Sequence, residues 1–125
     1  MKIQIIVGEV CLDAELNQST TSKKVEHILP FSGRFDTWGD EIYFTIPVES
    51  PLDQSAKEEV DVGDLGYWPT GRAFCIFFGP TPVSPRGKII PASAVNIIGK
   101  VTGDAKLLKA VMDACTITLK TSNMP

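Results

Sequence analysis

The side chains that could carry chemistry are few, and their spacing matches no familiar catalytic set. His27 is the only histidine of the 125 residues, and Cys11, Cys75 and Cys115 lie far apart. Zinc sites are built mainly from clustered thiolates and imidazoles, so such a site cannot readily be assembled here. The sequence therefore predicts neither a metal nor a cofactor, and it favours binding over covalent chemistry.

The cysteines are better explained by packing than by reactivity. Cys75 stands between Phe74 and Ile76, and Cys115 opens an alternating run. Free cysteines are often interior, which predicts burial for both, while a dyad with His27 stays open as an alternative. Their odd number, in a sequence without a signal peptide, predicts that they remain reduced.

Four carboxylates stand near turns and strand ends: Asp40, Glu41, Asp61 and Asp64. Oxygen ligands of this kind can bind a hard cation, but their spacing lacks the pattern of a calcium loop. The pattern favours solvated carboxylates over a metal site.

Aromatic side chains are stronger candidates for a ligand surface. Tyr67-Trp68-Pro69 directly precedes the most apolar stretch of the chain, and Trp38 lies in a glycine-containing loop. Aromatic residues with one polar tip are enriched at interfaces, because one end is apolar and the other can hydrogen-bond. The Tyr-Trp-Pro turn is either a ligand platform or a hydrophobic lid, and the sequence favours neither.

Glu41 and Tyr43 add polar groups to this set. In the segment 41–48, Ile42 and Phe44 face one side of a strand, so Glu41 and Tyr43 face the other. They either line a concave surface, as an acid and a hydrogen-bonding partner, or lie on an ordinary solvent face.

Two arginines are candidates for holding a carbonyl group. Arg34 lies in a loop next to Gly33, and Arg72 follows a Pro-Thr-Gly turn. Either guanidinium could reach over a groove, although a solvated surface position is the usual one for arginine.

The elements that must position these residues are mostly strands. Apolar and polar residues alternate with period two over most of the chain, which is typical of half-buried strands. The predicted strands are 2–7, 10–15, 41–48, 58–62, 73–78, 95–101 and 115–120. The stretch 73–78 is apolar on both faces and therefore requires cover from both sides.

Two short helices and one long loop complete the pattern. The first helix begins in the Ser-Thr-rich segment 19–22 and ends at Pro30, and the second is capped by Asp104. Their inward residues are predicted to be Val25, Ile28 and Leu29, and Leu107, Leu108 and Val111. The segment 80–91 holds four prolines, which cannot donate to a strand ladder, so we expect a long ordered loop with Thr81 in a rigid wall.

Composition and charge limit the class of protein. Hydrophobic residues make up 43% and charged residues 22%, which is typical of a globular protein. A net charge of −3 without a basic stripe argues against nucleic acid or an anionic membrane surface as a partner. No apolar run approaches the roughly 20 residues of a membrane span. We expect one mainly β domain over residues 1–125, a closed barrel of about eight strands with two short helices, in the cytoplasm.

Two runs resemble the best-known stretches of cyclophilins. The first is Thr-Gly-Arg-Ala-Phe-Cys-Ile at 70–76, and the second is Val-Asn-Ile-Ile-Gly-Lys-Val at 95–101. In cyclophilins an Asn-Gly-Ser-Gln-Phe-Phe-Ile strand precedes a His-Val-Val-Phe-Gly-Lys-Val strand, and a helix and a final strand follow. The resemblance implies a closed cyclophilin-like β-barrel.

A closer resemblance is to a group of small prokaryotic proteins of the cyclophilin-like fold without an assigned function. The group's hallmarks are similar to Gly-Asp-Leu-Gly-Tyr-Trp-Pro at 63–69, Phe-Phe-Gly-Pro-Thr-Pro at 77–82 and Asn-Ile-Ile-Gly at 96–99. This resemblance covers nearly the whole chain.

The resemblance leaves the polar catalytic positions of cyclophilins empty. Cyclophilins hold the prolyl carbonyl with an arginine on a Phe-His-Arg strand, and the similar strand here, 42–45, has no arginine. By the same resemblance the glutamine position falls on Ala73, a pocket phenylalanine on Cys75 and the histidine on Val95. Prolyl isomerase activity would then need one of the two candidate arginines as a substitute.

The leading prediction is a binding module whose groove holds a peptide segment or a small molecule without covalent chemistry. The predicted ligand-binding residues are Trp38, Glu41, Tyr43, Tyr67, Trp68 and Thr81. One alternative is a divergent prolyl isomerase that relies on Arg34 or Arg72. Another is an assembly role, in which the aromatic turn pairs subunits into a homo-oligomer.

Overall fold

One antiparallel sheet makes up most of the protein. The computed structural model describes residues 1–123, and ten strands lie within them. They are β1 (Lys2–Val7), β2 (Val10–Leu16), β3 (Phe31–Arg34), β4 (Asp36–Thr37), β5 (Glu41–Thr45), β6 (Ala56–Lys57), β7 (Asp64–Trp68), β8 (Ala73–Phe77), β9 (Val95–Val101) and β10 (Thr116–Thr121). The order across the sheet is β3-β10-β1-β2-β9-β7-β8-β5-β4, and β6 also pairs with β9.

The two ends of this sheet meet in the single segment 31–37. β3 pairs with β10, β4 pairs with β5, and only Phe35 separates β3 from β4. The amide of Phe35 donates a hydrogen bond of 3.0 Å to the carbonyl of Cys115, and its side chain is buried. One kinked segment thus joins the outermost strands and brings the sheet round into a barrel. The mainly β fold predicted from the sequence is confirmed, with ten strands instead of about eight.

The barrel interior is filled by alternate residues of the strands. Ile42 and Phe44 of β5 and Phe74 and Ile76 of β8 are all buried there. The ring of Phe44 stacks between Phe31 and Phe74, with centroid distances of 5.7 and 5.2 Å. Burial of each large apolar side chain contributes roughly 1.5–3 kcal/mol, so this alternation supplies the main driving force of folding.

The helices are short and lie in the connections between strands. Helix α1 (Thr20–His27) is capped by Ser19, whose hydroxyl accepts from the amide of Ser22 at 3.2 Å. The second helix, predicted after Asp104, is a 3-10 helix over Ala105–Val111. A further 3-10 turn, Pro69–Gly71, joins β7 to β8. Within residues 1–123, no helix has the length and apolarity needed to cross a membrane.

One predicted strand is wrong and one predicted loop is confirmed. The segment 58–62 forms no regular strand, because its only backbone pairing is an isolated bridge from Val60 to Ile89, and the short β6 precedes it. Residues 80–91 form the long ordered loop that the prolines predict, with the same bridge as its only ladder contact.

Two burial predictions at the chain's end are also wrong. Cys115 is exposed; it has a left-handed backbone with φ +72° and precedes β10, so it takes no part in the alternation of that strand. Leu107 is 50% exposed, whereas Leu108 is fully buried. The 3-10 helix has three residues per turn, so Ala105, Leu108 and Val111 share the face that meets the core and Leu107 falls outside it.

Gly99 allows β9 to approach β2 closely, and we expect its substitution to be costly. A methyl group on Gly99 would overlap the backbone of Glu15 and Leu16. Backbone cannot move aside as a side chain can, so Gly99→Ala should lower the free energy of unfolding by about 2 kcal/mol. Urea unfolding measures this value. The control is Gly103→Ala, whose methyl group would lie 3.6 Å from Leu12, an ordinary contact; an equal loss in both variants would contradict the explanation.

Candidate functional site

A second, smaller apolar cluster lies on the outer face of the barrel. Because side chains alternate along β8, Phe74 and Ile76 enter the interior, while Ala73, Cys75 and Phe77 face outward. All five residues are buried. The outward three pack with Val60, Ile89 and Val95, so the long loop and β9 cover this face of the sheet.

A cavity of about 260 Å³ opens beside this outer cluster. Four strands, a turn and the proline-rich loop contribute to its walls. The residues that line it are Trp38, Glu41, Tyr43, Trp68, Cys75, Pro91, Ala92 and Val95. The walls are mainly apolar or aromatic, and the polar groups are confined to one carboxyl, one phenol, one thiol and the indole nitrogens.

A tight turn before β5 positions Trp38 and Glu41. The amide of Trp38 donates to the carbonyl of Glu41 at 3.0 Å, and Gly39 between them has φ +60°. A side chain on Gly39 would bring its Cβ within 2.8 Å of the Pro80 carbonyl oxygen. The amide of Asp40 donates to that same carbonyl at 3.0 Å. The turn is therefore attached to the proline-rich loop, which forms the facing wall.

Trp68 connects the sheet to the loop from the other side of the cavity. It ends β7, opposite Ala73 of β8, and its alternation places it on the outer face. Its indole N–H donates a hydrogen bond of 2.6 Å to the hydroxyl of Ser93. The indole is thus held between β7 and the segment that follows the proline-rich loop.

Glu41 is the most unusual residue of the cavity, because it is an acidic residue at a buried position. It is 6% exposed and pairs in register with Phe77 on β8. Burial raises the pKa of Glu41 from an ordinary 4.5 to about 7, although a hydrogen bond with the Cys75 thiol lowers it in part. A carboxyl with such a pKa can accept or donate a proton at neutral pH.

The two neighbouring ionisable groups are held in their neutral forms. Burial, and then the charge of Glu41, raise the pKa of the Cys75 thiol well above its ordinary value. Partial burial raises the pKa of Tyr43, with smaller effects from Asp36 and Glu41. Cys75 is therefore a thiol and not a thiolate nucleophile, and its predicted burial is confirmed.

The structure brings together four of the six predicted ligand-binding residues: Trp38, Glu41, Tyr43 and Trp68. Tyr67 lies elsewhere, because it points into the barrel interior, where its hydroxyl donates to the carbonyl of Val48 at 2.5 Å. Thr81 is also outside the cavity; it is 5% exposed and bonds to Ser84 within its own loop.

Neither candidate arginine lines the cavity. Arg34 is exposed on β3, opposite Thr116 of β10. Arg72 has a left-handed backbone with φ +48°, and its guanidinium lies 3.2 Å from the carboxylate of Glu49 at an exposed position. Arg72 borders a separate, open cleft near Pro51 and Pro69.

The remaining carboxylates serve local structure. Asp40 lies 3.4 Å from the ammonium group of Lys109, and Asp64 accepts from the amide of Asp61 at 2.8 Å. In the part of the chain that the structure describes, no three His, Cys, Asp or Glu side chains stand close enough to hold a metal ion.

Four lining residues were missed as site residues by sequence reasoning: Cys75, Pro91, Ala92 and Val95. A signal for two of them was present in the resemblance to cyclophilins, which places a pocket phenylalanine at Cys75 and the histidine at Val95. These two positions, Cys75 and Val95, lie together in the wall of one cavity. Pro91 and Ala92 carry no comparable signal, because only the path of the loop brings them to the site.

Comparison with known proteins agrees with the fold. A family model described as Cyclophilin-like matches residues 1–120. The chain belongs to this family. It is also similar to a hypothetical protein from Archaeoglobus fulgidus with a known solution structure, at 36% identity and a TM-score of 0.82, over 98% of this chain and 95% of that one. No curated protein matches the chain.

Glu41 should make this Cyclophilin-like protein less stable as the pH rises. Its pKa is about 7 in the folded state against 4.5 ordinarily, so the folded state holds an extra proton between these values. The stability from that proton is present below pH 4.5 and is lost as pH rises to 7, by about 3 kcal/mol.

Urea unfolding from pH 5 to pH 8 tests this expectation. Glu41→Gln should remove the decline, because the amide carries no proton to lose. Glu15→Gln, at an exposed position of β2, is the matched control, and its stability should decline with pH as that of the original protein does. A decline that persists unchanged in Glu41→Gln would assign it to other groups.

Proposed function

We propose that this protein is a binding module whose outer cavity holds a small molecule, or one side chain of a peptide, without covalent chemistry. The observation that carries the proposal is the combination of two indoles, a phenol and a single buried carboxyl around one apolar space. Ligand sites commonly have this composition, since apolar walls provide burial and a few polar groups fix orientation.

The size of the cavity favours a small occupant. About 260 Å³ lies just below the roughly 300–1,000 Å³ of common ligand pockets. A single ring or a short branched group fits such a space, whereas a peptide segment would have to contact the surface around it. Trp38 and Trp68 would then supply most of the buried contact area, and Glu41 would orient the ligand.

The chemistry of the lining residues supports binding over covalent catalysis. A cysteine nucleophile requires a thiolate, and both burial and Glu41 oppose ionisation of Cys75. His27, the sole histidine, is not among the lining residues. Glu41 is therefore the one group poised for proton transfer, and the thiol beside it, Cys75, is held in its protonated form.

The isomerase alternative has no specific observation in its favour. Rotation about an amide bond is opposed by a barrier of roughly 20 kcal/mol, which cyclophilins lower with a guanidinium directed at the prolyl carbonyl. Arg34 and Arg72 both lie away from the cavity, and Arg72 is paired with Glu49. The assembly role of the aromatic turn stays a prediction, testable from the mass of the protein at several concentrations.

Substitution of Trp68 should weaken ligand binding without unfolding the protein. We expect ligand-observed NMR on a panel of small amines, alcohols, acids and aromatic compounds to identify ligands that compete for one site. Trp68→Ala should raise their dissociation constants at least tenfold, about 1.4 kcal/mol, because tryptophan supplies a large buried contact. Leu107→Ala, at an exposed apolar residue outside the cavity, is the control and should leave the dissociation constants unchanged. Unchanged affinity in a folded Trp68→Ala protein would refute the proposal.

The protein should not accelerate prolyl isomerisation. In NMR exchange experiments on short X-Pro peptides, with the protein at substoichiometric concentration, we expect the uncatalysed rate, because no guanidinium lines the cavity. An active cyclophilin under the same conditions is the positive control. Accelerated exchange that disappears in Arg34→Ala or Arg72→Ala would restore the isomerase alternative.

A further inference from the structure

The charge of Glu41 has no cationic partner in the described part of the protein. The three ion pairs there are Arg72 with Glu49, Lys88 with Glu59, and Lys109 with Asp40. The ionisable groups that face the carboxyl are Tyr43 on β5 and Cys75 on β8, and Asp36 of β4 lies near Tyr43. None of these groups is a cation. Isolated buried carboxylates are strongly disfavoured, so a ligand with a positive charge would supply the missing partner.

The other walls of the cavity add no charge. β7 contributes Trp68, β9 contributes Val95, and the proline-rich loop and the residue after it contribute Pro91 and Ala92. An incoming cation therefore meets one negative charge and no repelling charge among the lining residues. An incoming carboxylate or phosphate would meet repulsion from Glu41 with no compensating donor of positive charge.

Three aromatic residues surround the same space: Trp38, Tyr43 and Trp68. The π face of an aromatic ring carries partial negative charge and attracts organic cations, most strongly in tryptophan. This attraction strengthens where water is excluded. The aromatic walls and the carboxyl of Glu41 thus both favour a positively charged ligand.

The lining side chains offer few hydrogen-bond acceptors, which favours an alkylated ammonium group over a primary one. A primary ammonium group has three N–H donors, and each needs an acceptor when it leaves water. Among the lining side chains, the oxygen acceptors are the carboxyl of Glu41 and the hydroxyl of Tyr43, while the indole N–H of Trp68 is itself a donor bonded to Ser93. Alkyl groups on the nitrogen would replace these donors with apolar surface that the aromatic walls can cover.

From these observations we infer that the cavity binds an alkylated ammonium group, held between Trp38, Tyr43 and Trp68 with Glu41 as its counter-ion. The inference rests on the proposed binding function and specifies its ligand class. The group belongs either to a free small molecule or to a methylated lysine side chain of a peptide.

Three matched probes test whether the ligand needs a positive charge and whether it needs alkyl groups on the nitrogen. Choline, its uncharged isostere 3,3-dimethylbutan-1-ol and the primary amine ethanolamine are titrated into the full chain at pH 8, with tryptophan fluorescence and calorimetry as readouts. We expect choline to bind at least tenfold more tightly than either of the others. Equal or tighter binding of the uncharged isostere would overturn the cation inference and leave the binding function standing. If no probe binds, and no compound of the panel of small amines, alcohols, acids and aromatic compounds binds either, both the cation inference and the proposed binding function would be overturned.

The pH dependence identifies the counter-ion. Choline keeps its charge at every pH, so its affinity should fall about tenfold from pH 8 to pH 6, as Glu41 with a pKa of about 7 takes up a proton. Glu41→Gln should weaken choline binding at pH 8, remove the pH dependence of the choline affinity and leave the affinity for the uncharged isostere unchanged. Glu15→Gln should preserve the pH profile of the original protein. Choline affinity that is the same in Glu41→Gln would overturn the inference.

A final comparison distinguishes the two sources of the group. A short peptide containing trimethyl-lysine is titrated beside the same peptide with unmodified lysine. Tighter binding of the methylated peptide than of choline would identify a protein side chain as the ligand. Tighter binding of choline would identify a free small molecule, and a preference for unmodified lysine would overturn the inference.

Discussion

β8 is buried on both faces, and this double burial explains both the core and the outer layer of the protein. Its inward residues complete the barrel core, and its outward residues, Ala73, Cys75 and Phe77, would be exposed on a bare barrel. A strand that is apolar on both sides needs a second layer, which the proline-rich loop provides through Ile89. Because of its prolines the loop makes a single bridge, from Ile89 to Val60, so it crosses the sheet as irregular chain and leaves a cavity at its edge.

The same outer layer sets the electrostatics of the cavity. Glu41 comes directly after a turn that is bonded to the proline-rich loop, so the covering of Phe77 also removes the Glu41 carboxyl from water. An apolar residue at this position would make the protein more stable at neutral pH, because the raised pKa reflects a cost of keeping the charge. A cost of this kind is commonly found at binding sites, where stability is exchanged for a group that a ligand needs.

Much of the candidate site follows from local sequence patterns. Alternation along 41–48 separates Glu41 and Tyr43 from the core residues beside them, and the aromatic turn identifies Trp68. Tyr67 shows the limit of that reasoning. Adjacent residues of a strand face opposite sides, so only one of Tyr67 and Trp68 could face the cavity, and the register of β7 against β8 and β9 places Trp68 there.

The cyclophilin-like fold is predictable from the amino-acid sequence, because period-two alternation and the runs at 70–76 and 95–101 are local properties of the chain. The sequence also indicates which aromatic and acidic residues lie beside turns. Which of these residues meet depends on the folded chain, since Trp38, Trp68 and Val95 come from turns and strands that are distant in sequence. The charge state of Glu41 likewise depends on the folded chain, because desolvation depends on what covers a side chain and not on its neighbours in the chain.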